Sequence, residues 1–437
     1  MVKKCILIIL DGLGDRSHDV LNNKTPLQAA HTPCLDSLAE RGANGLFQPV
    51  APGLAPPSEN AHFNIFGYPP SEFPGRGLLE AMGAGIEVAD SEVALLAHFV
   101  SFAEEDGRLL LAQKRPPAEK KEIAQFARTI RSFAHQDISC RFIPTHDGDG
   151  VVILQGDVSP KITDTDPLFE GQALMAPLPW QSHQDHEASQ KSAQALHAYL
   201  SMCHHTLNGH EANWQRAQKG MPLINGLVTQ RPGQNIPHED FLSRWGLRGL
   251  SISSGLMYWG LAKYLGMDVG KLSDSSDPGM DLAQRLKMAR SSDHDFIHVH
   301  SKAADAAAHT KNPLNKVSAL ESLDEGLASV VDSLLDDETV LVVTADHSTP
   351  CAGPQIHSGE PVPICVAGPG LRRDQVKMFD EVQCTSGALG SLQGQDFMPL
   401  VLNWLDRAKL MGLMDNPLDR PYWPGQRQLF KLIQEKK

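Results

Sequence analysis

The sequence has no excess of basic charge, no paired-cysteine motif and no long apolar run, and each absence closes off a class of protein. With 39 Lys and Arg against 52 Asp and Glu, the formal charge is -13, so the basic footprint of a non-specific nucleic-acid binder is missing. No basic segment with interleaved aromatics restores it, although net charge says little about a single cationic cleft. The seven cysteines are scattered, odd in number and without a CxxC pair, which suits a reducing cytoplasm better than a disulfide framework. The opening MVKKCILIILDG starts like a signal peptide, but its apolar run covers only residues 5–10 and stops at Asp11; export is not expected. No window approaches the length of a membrane span. These absences predict a cytoplasmic protein with neither nucleic-acid nor membrane partners, and they leave its oligomeric state open.

What is present is a chain of 437 residues with 41% apolar content, enough for two domains or for one large α/β domain carrying an insertion. CILIIL (5–10), FIHVHS (296–301), TVLVVTAD (339–346) and VPICVAG (362–368) read as buried strands, and the continuous apolar character of such runs suits a parallel sheet. TPCLDSLAERGA (32–43) and VSALESLDEGLASVVDSLL (317–335) read as helices, as does GLSISSGLMYWGLAKYLGMDV (249–269). From about residue 90 the texture changes, with VALLAHFVSF and VVILQG as strands around the amphipathic PAEKKEIAQFARTIRSF (117–133). The expected fold class is therefore α/β: a mostly parallel sheet covered by helices, built from residues 1–94 and 241–437, with a smaller α/β domain inserted at 95–240.

Ligands of such sheets sit beyond the carboxyl ends of the strands, and the candidate reactive groups cluster there. Asp11 ends the first strand, Asp305 and His309 lie four apart after FIHVHS, Asp346 and His347 end TVLVVTAD, and His357 precedes VPICVAG. Taken singly, Asp11 is a turn or cap residue and Asp305–His309 a surface pair; taken together, three carboxylates and three imidazoles form a donor set for Zn²⁺ or Mn²⁺. Ser58, in APPSENAHFNIFGY, has two readings: cap of the helix that follows, or nucleophile.

TADHSTP (344–350) and HSGEPVP (357–363) resemble the signature of the alkaline-phosphatase superfamily, and more closely the archaeal type of cofactor-independent phosphoglycerate mutase. LIILDGLGDR, KTPLQAAHTP, SENAHFNIFGY, GRGLLEAMGAG, ITDTDP and GQDFMPLVL extend the similarity almost end to end. The resemblance implies an alkaline-phosphatase-like core, two divalent metal ions (Mn²⁺ or Zn²⁺), no organic cofactor, and a phosphoserine intermediate. It implies one metal on Asp11, Ser58, Asp346 and His347 and the other on Asp305, His309 and His357, with Ser58 as catalytic nucleophile. Glu59 stands where the family has aspartate, and Asn60 and His62 are candidate supporting groups.

The same comparison exposes departures. Leu96 stands where the family has an arginine, AQKRP (112–116) replaces an arginine-rich segment, and Gly148–Asp149 replaces a His–Arg pair. The candidate substrate-binding residues are then Lys114, Arg115, His146, Arg231 and Arg248. The expected function is metal-dependent phosphoryl transfer on a small phosphorylated metabolite, with interconversion of 3-phosphoglycerate and 2-phosphoglycerate as the nearest named activity and an altered pocket. A phosphomonoester hydrolase, or a mutase for another phosphorylated or phosphonate metabolite, is the alternative; a non-catalytic metal-binding relative is a minor one.

Overall fold

The computed structural model of the chain describes residues 2–408 and 430–432; the remainder of the segment 241–437 expected in the core lies outside the described residues. Strands β1 (Lys4–Leu10) and β2 (Ala43–Gln48) come first, followed by β3 (Val93–Glu105), β4 (Arg108–Lys114), β5 (Ser132–His135), β6 (Ile138–Pro144), β7 (Asp149–Gln155) and β8 (Gly226–Gly233). The chain continues with β9 (Gly249–Ser253), β10 (Asp268–Lys271), β11 (Phe296–Ser301), β12 (Thr339–Thr344), β13 (Val362–Ala367) and β14 (Gly390–Gln393).

Two compact units result. The first comprises the described residues up to Ser71, Glu239–Ser254 and those from Leu265 onward. It holds an eight-stranded sheet ordered β10-β9-β11-β1-β12-β13-β2-β14. Every neighbouring pair is parallel except β12–β13 and β13–β2, so β13 alone runs against the rest. The central strands β1, β11 and β12 are buried along nearly their whole length, which is why their sequences are unbroken apolar runs rather than alternating ones. The expected mostly parallel α/β core is what the chain forms.

The second unit comprises Glu72–His238 and Gly255–Tyr264. Its six strands, β4-β3-β7-β6-β5 with β8 on β3, pair antiparallel throughout. One face, with Val93, Leu95, Ala97 and Phe99 of β3, packs on the helices Lys120–Thr129 and Glu187–Asn208 through Phe126, Leu196 and Tyr199. The expected division at 94/95 falls inside β3, because the second unit also takes the helix Arg76–Ala84, and the expected start of the returning segment at 241 lies two residues after Glu239.

The stretch 249–269 is not one helix. It is β9, then the helix Leu256–Tyr264, then β10, with Gly255 at φ +95 breaking the run. A short apolar segment does not distinguish strand from helix by periodicity alone. That helix belongs to the second unit, where Gly83 and Gly260 allow it to meet Arg76–Ala84 backbone to backbone: a Cβ on Gly260 would fall on the carbonyl oxygen of Leu79.

Candidate active site

The topology of the first unit brings four connecting segments to one edge of its sheet. Asp11, Asp305 and Asp346 follow the carboxyl ends of β1, β11 and β12, which are adjacent strands. Because β13 is antiparallel to β12, its amino end, preceded by His357, returns to the same edge. β2 is antiparallel to β13 in turn, so the segment leaving it delivers Ser58 there too. The turn after Asp11 is possible only with glycine at position 12, which sits at φ +66 and whose Cβ would lie 2.6 Å from Thr349 Oγ1 and 2.8 Å from Asp305 Cβ.

Ser58 is the first residue of the helix Ser58–Ile65, and Pro57, not Ser58, is its cap. The capping reading therefore fails. The Ser58 hydroxyl lies instead 3.1 Å from His347 Nε2, and its carbonyl oxygen lies 2.8 Å from His62 Nδ1. His347 Nε2 also lies 3.2 Å from Asp11 Oδ1 and 3.3 Å from Asp346 Oδ2. On the other side, Asp305 Oδ1 is 3.2 Å from His309 Nε2 and 3.7 Å from His357 Nε2, and accepts a 2.8 Å bond from Thr349 Oγ1. The rings of His347 and His357 stack with centroids 3.7 Å apart, which joins the two halves.

The electrostatics are those of a site built for cations. Asp346 is fully buried; its Oδ1 accepts from the Gly12 amide at 3.2 Å, while Oδ2 has no hydrogen-bond partner in the protein. Burial, and then the charge of neighbouring Asp11, push its carboxyl well above the usual range. Burial also pushes His347 down to about 4 in spite of Asp11, keeping its imidazole neutral and able to donate a lone pair. Burial raises Asp305 as well, but the hydrogen bonds with His309 and Thr349 oppose it, and the carboxyl is held below the usual range. Among the described residues, the ion-pair partners of Asp305 and Asp346 are imidazoles. Two buried carboxylates in contact, one with an orphaned oxygen, fit divalent cations and are costly without them. The groups Asp11–Asp346–His347 and Asp305–His347–His357 each bring three ligand atoms within 4.8 Å of one another.

Behind this cluster lie residues that the sequence reading did not single out. His298 and His300, alternating on β11, form a buried imidazole group with His62, ring centroids 5.1 Å from it in each case. His300 Nε2 reaches Asp11 Oδ2 at 3.1 Å and His298 Nδ1 reaches Ser251 Oγ at 3.0 Å. The period-two repeat H-V-H in FIHVHS was the available signal. Lys316 is wholly buried; its ammonium donates to Gly14 O (2.8 Å), Thr349 O (2.9 Å) and Asp15 Oδ2 (3.2 Å). It thus ties the loop after Asp11 to the loop after His347. Asp15, His18 and Cys351 also approach one another, but Asp15 is already held by Lys316 and the amides of Arg16 and Cys351.

Four of the candidate substrate-binding residues fall in the second unit. Arg115 makes a forked pair with Asp149 (3.0 and 3.5 Å), and His146 Nε2 lies 3.7 Å from the same carboxylate. Lys114 lies 3.5 Å from Asp166, and the Arg231 amide donates to Asp164 at 2.6 Å. Arg248 is a correction. It immediately precedes β9 and pairs with Asp293 and Asp295, which precede β11, so it occupies the amino edge of the sheet, opposite the cluster. Among the described residues no helix is long and apolar enough to cross a membrane.

A mostly parallel α/β sheet with buried carboxylates and imidazoles converging at its strand ends defines a metal-dependent enzyme, and the metalloenzyme superfamily matches residues 3–404. The chain belongs to that superfamily and, within it, to the family of 2,3-bisphosphoglycerate-independent phosphoglycerate mutases. It is 37% identical over 432 residues to 2,3-bisphosphoglycerate-independent phosphoglycerate mutase 2 of Methanocaldococcus jannaschii, covering 96% of this chain and 97% of that one. It is 32% identical to the Methanopyrus kandleri enzyme of the same family, covering 94% and 98%. Among solved structures, the cofactor-independent phosphoglycerate mutase of Thermoplasma acidophilum superposes with a TM-score of 0.63 at 28% identity, covering 92% of this chain and 100% of that one.

Proposed function

We propose that the chain transfers a phosphoryl group between hydroxyls of a small phosphorylated metabolite through a phosphoserine at Ser58. Interconversion of 3-phosphoglycerate and 2-phosphoglycerate, the activity for which its relatives are named, is the nearest named activity. The observation that carries the reading is the Ser58 hydroxyl at the first turn of its helix, 3.1 Å from His347 and beside the carboxylate cluster. Asp11, Ser58, Asp346 and His347 would hold one divalent ion, and Asp305, His309 and His357 the other. Three imidazoles favour Mn²⁺ or Zn²⁺ over Mg²⁺. Such ions, when bound, supply charge stabilisation at phosphoryl oxygens and lower the pKa of a bound hydroxyl.

The protein's own groups do the rest. His62, bonded to the Ser58 carbonyl, fixes the first turn and with it the direction of the hydroxyl. The amino end of the helix offers its N–H dipoles to an arriving anion. Lys316 keeps the two loops that carry the carboxylates in register.

A second reading, a hydrolase or mutase for a different phosphorylated metabolite, is favoured by Asp149, which engages Arg115 where a mutase needs cations for a carboxylate. The cytoplasmic setting is part of the same proposal. Phosphorus NMR on metal-reconstituted protein separates the readings, with Ser58→Ala as control. Formation of 2-phosphoglycerate from 3-phosphoglycerate without free phosphate, lost in the control, establishes the mutase. Ser58-dependent phosphate release from another ester establishes the second reading, and turnover that survives Ser58→Ala sinks both.

A further inference from the structure

A single hydroxyl lies between the two ligand groups of the first unit. Thr349 follows His347 by two residues and is wholly buried. Its Oγ1 is 2.8 Å from Asp305 Oδ1 and 3.1 Å from His347 Nδ1. It therefore touches one side chain of each group. His347 turns its other nitrogen toward Asp11, Asp346 and Ser58, while Asp305 faces His309 and His357.

The residue is held in place along its backbone and at its side chain. The Thr349 N–H donates to Gly14 O at 2.9 Å, and its carbonyl oxygen accepts from the Lys316 ammonium at 2.9 Å. The loop after β1 comes so close that a Cβ at Gly12 would lie 2.6 Å from Oγ1. A hydroxyl confined in this way has little choice of partners.

Its partners fix the direction of its proton. An ionised carboxylate only accepts, so the Thr349 O–H points at Asp305 Oδ1. Toward His347 the oxygen is then the acceptor, and Nδ1 carries the ring proton. A neutral imidazole has one N–H. With that proton at Nδ1, the lone pair is at Nε2, 3.2 Å from Asp11 Oδ1 and 3.3 Å from Asp346 Oδ2. The ring nitrogen that can take a metal is set by the hydrogen bond the other one makes.

We propose that Thr349 is a positioning residue for both ligand groups. Its hydroxyl selects the His347 tautomer that leaves Nε2 open to an ion, and it ties that choice to Asp305 in the other group. The inference deepens the phosphoryl-transfer reading and rests on its assignment of two ion sites. Without the hydroxyl, the Nδ1 proton loses its acceptor. The ring gains by moving that proton to Nε2, where it donates to Asp11 or Asp346 and the lone pair faces away from them.

The test compares Thr349→Val, which keeps nearly the same shape, with Thr349→Ser, which keeps the hydroxyl. Nitrogen NMR of the histidine rings distinguishes the tautomers in metal-free protein, with the His347 signals assigned by their loss in His347→Gln. Wild type and Thr349→Ser should show the proton at Nδ1, and Thr349→Val should shift it toward Nε2. A threonine that merely fills space would leave the tautomer unmoved. In calorimetric titration, Thr349→Val should bind Mn²⁺ about ten- to a hundredfold more weakly, with Thr349→Ser restoring most of the affinity. A wild-type proton at Nε2, or a valine variant with the wild-type tautomer and affinity, overturns the proposal. Should Thr349→Val fail to fold, the wild-type tautomer still decides, since a proton at Nε2 refutes the assignment. A wild type that binds no Mn²⁺ defeats the two-ion reading instead. The tautomer, read without metal, then judges Thr349 separately: a shift in the valine variant supports its hold on His347, and no shift refutes it.

Discussion

Replacing Asp346 by Asn tests whether the carboxylate cluster is built around cations. In the folded protein Asp346 is fully buried, its Oδ2 has no hydrogen-bond partner, and Asp11 lies against it. Its carboxyl is raised well above the ordinary range, so its contribution to stability is present at low pH and is lost as pH rises through that raised value. An Asn amide keeps the shape, retains the bond from Gly12 and donates its N–H₂ to Asp11. In the presence of a chelator, Asp346→Asn should therefore match wild type in mild acid. At alkaline pH it should exceed wild type by about 1–3 kcal/mol, the usual worth of an unsatisfied buried group. With metal the order should reverse. An ion at a hundredfold excess over its Kd stabilises wild type by about 3 kcal/mol, and the variant should lose most of that increment. Urea unfolding with chelator and with Mn²⁺, across pH, reads both effects. A variant weaker than wild type in chelator at every pH, or one that keeps the full metal increment, would show that Asp346 is held by the protein alone.

Three further outcomes follow from single positions. Gly260→Ala should cost about 1–3 kcal/mol or more, because its Cβ meets the Leu79 carbonyl; denaturant unfolding followed by Trp fluorescence measures it. Burial pushes the Glu381 carboxyl up to about 7, so it stabilises the fold while protonated and that stability is lost as pH rises through this value. Glu381→Gln should flatten the pH dependence of unfolding in the same interval, and an unchanged slope would refute the assignment. Arg248→Ala should leave kcat and KM within about twofold of wild type, since its partners Asp293 and Asp295 lie at the far edge of the sheet; a larger loss would restore Arg248 to the site.

Much of the core was readable because its strands are buried on both faces. CILIIL and TVLVVT have no other environment to satisfy, and the polar residues that stop them become the site. Antiparallel β13 was harder: VPICVAG carries no mark of direction, yet direction is what returns His357 to the cluster. Ser58 misleads locally, since a serine after proline favours capping, but Pro57 occupies the cap and frees the hydroxyl. Lys316 was missed although its spacing to Leu320, Leu323 and Leu327 places it on the buried stripe of its helix; a lysine there needs a carboxylate, and nothing near it in sequence announces Asp15. Arg248 failed because correspondence along the chain does not say at which end of a strand a residue lies.

The second unit is not a single excursion but two, entered at 72 and again at 255. A ribosome emits the chain in order, so the helix that seats against Arg76–Ala84 appears only after residues 85–255 have been made and β9 of the other unit has intervened. During synthesis the unit cannot close until residue 264 has emerged. A fragment cut at 72–238 would lack Leu256–Tyr264 and leave Gly83 without the backbone it accommodates. Isolating the unit calls for a splice from 238 to 255, a junction the natural chain never makes.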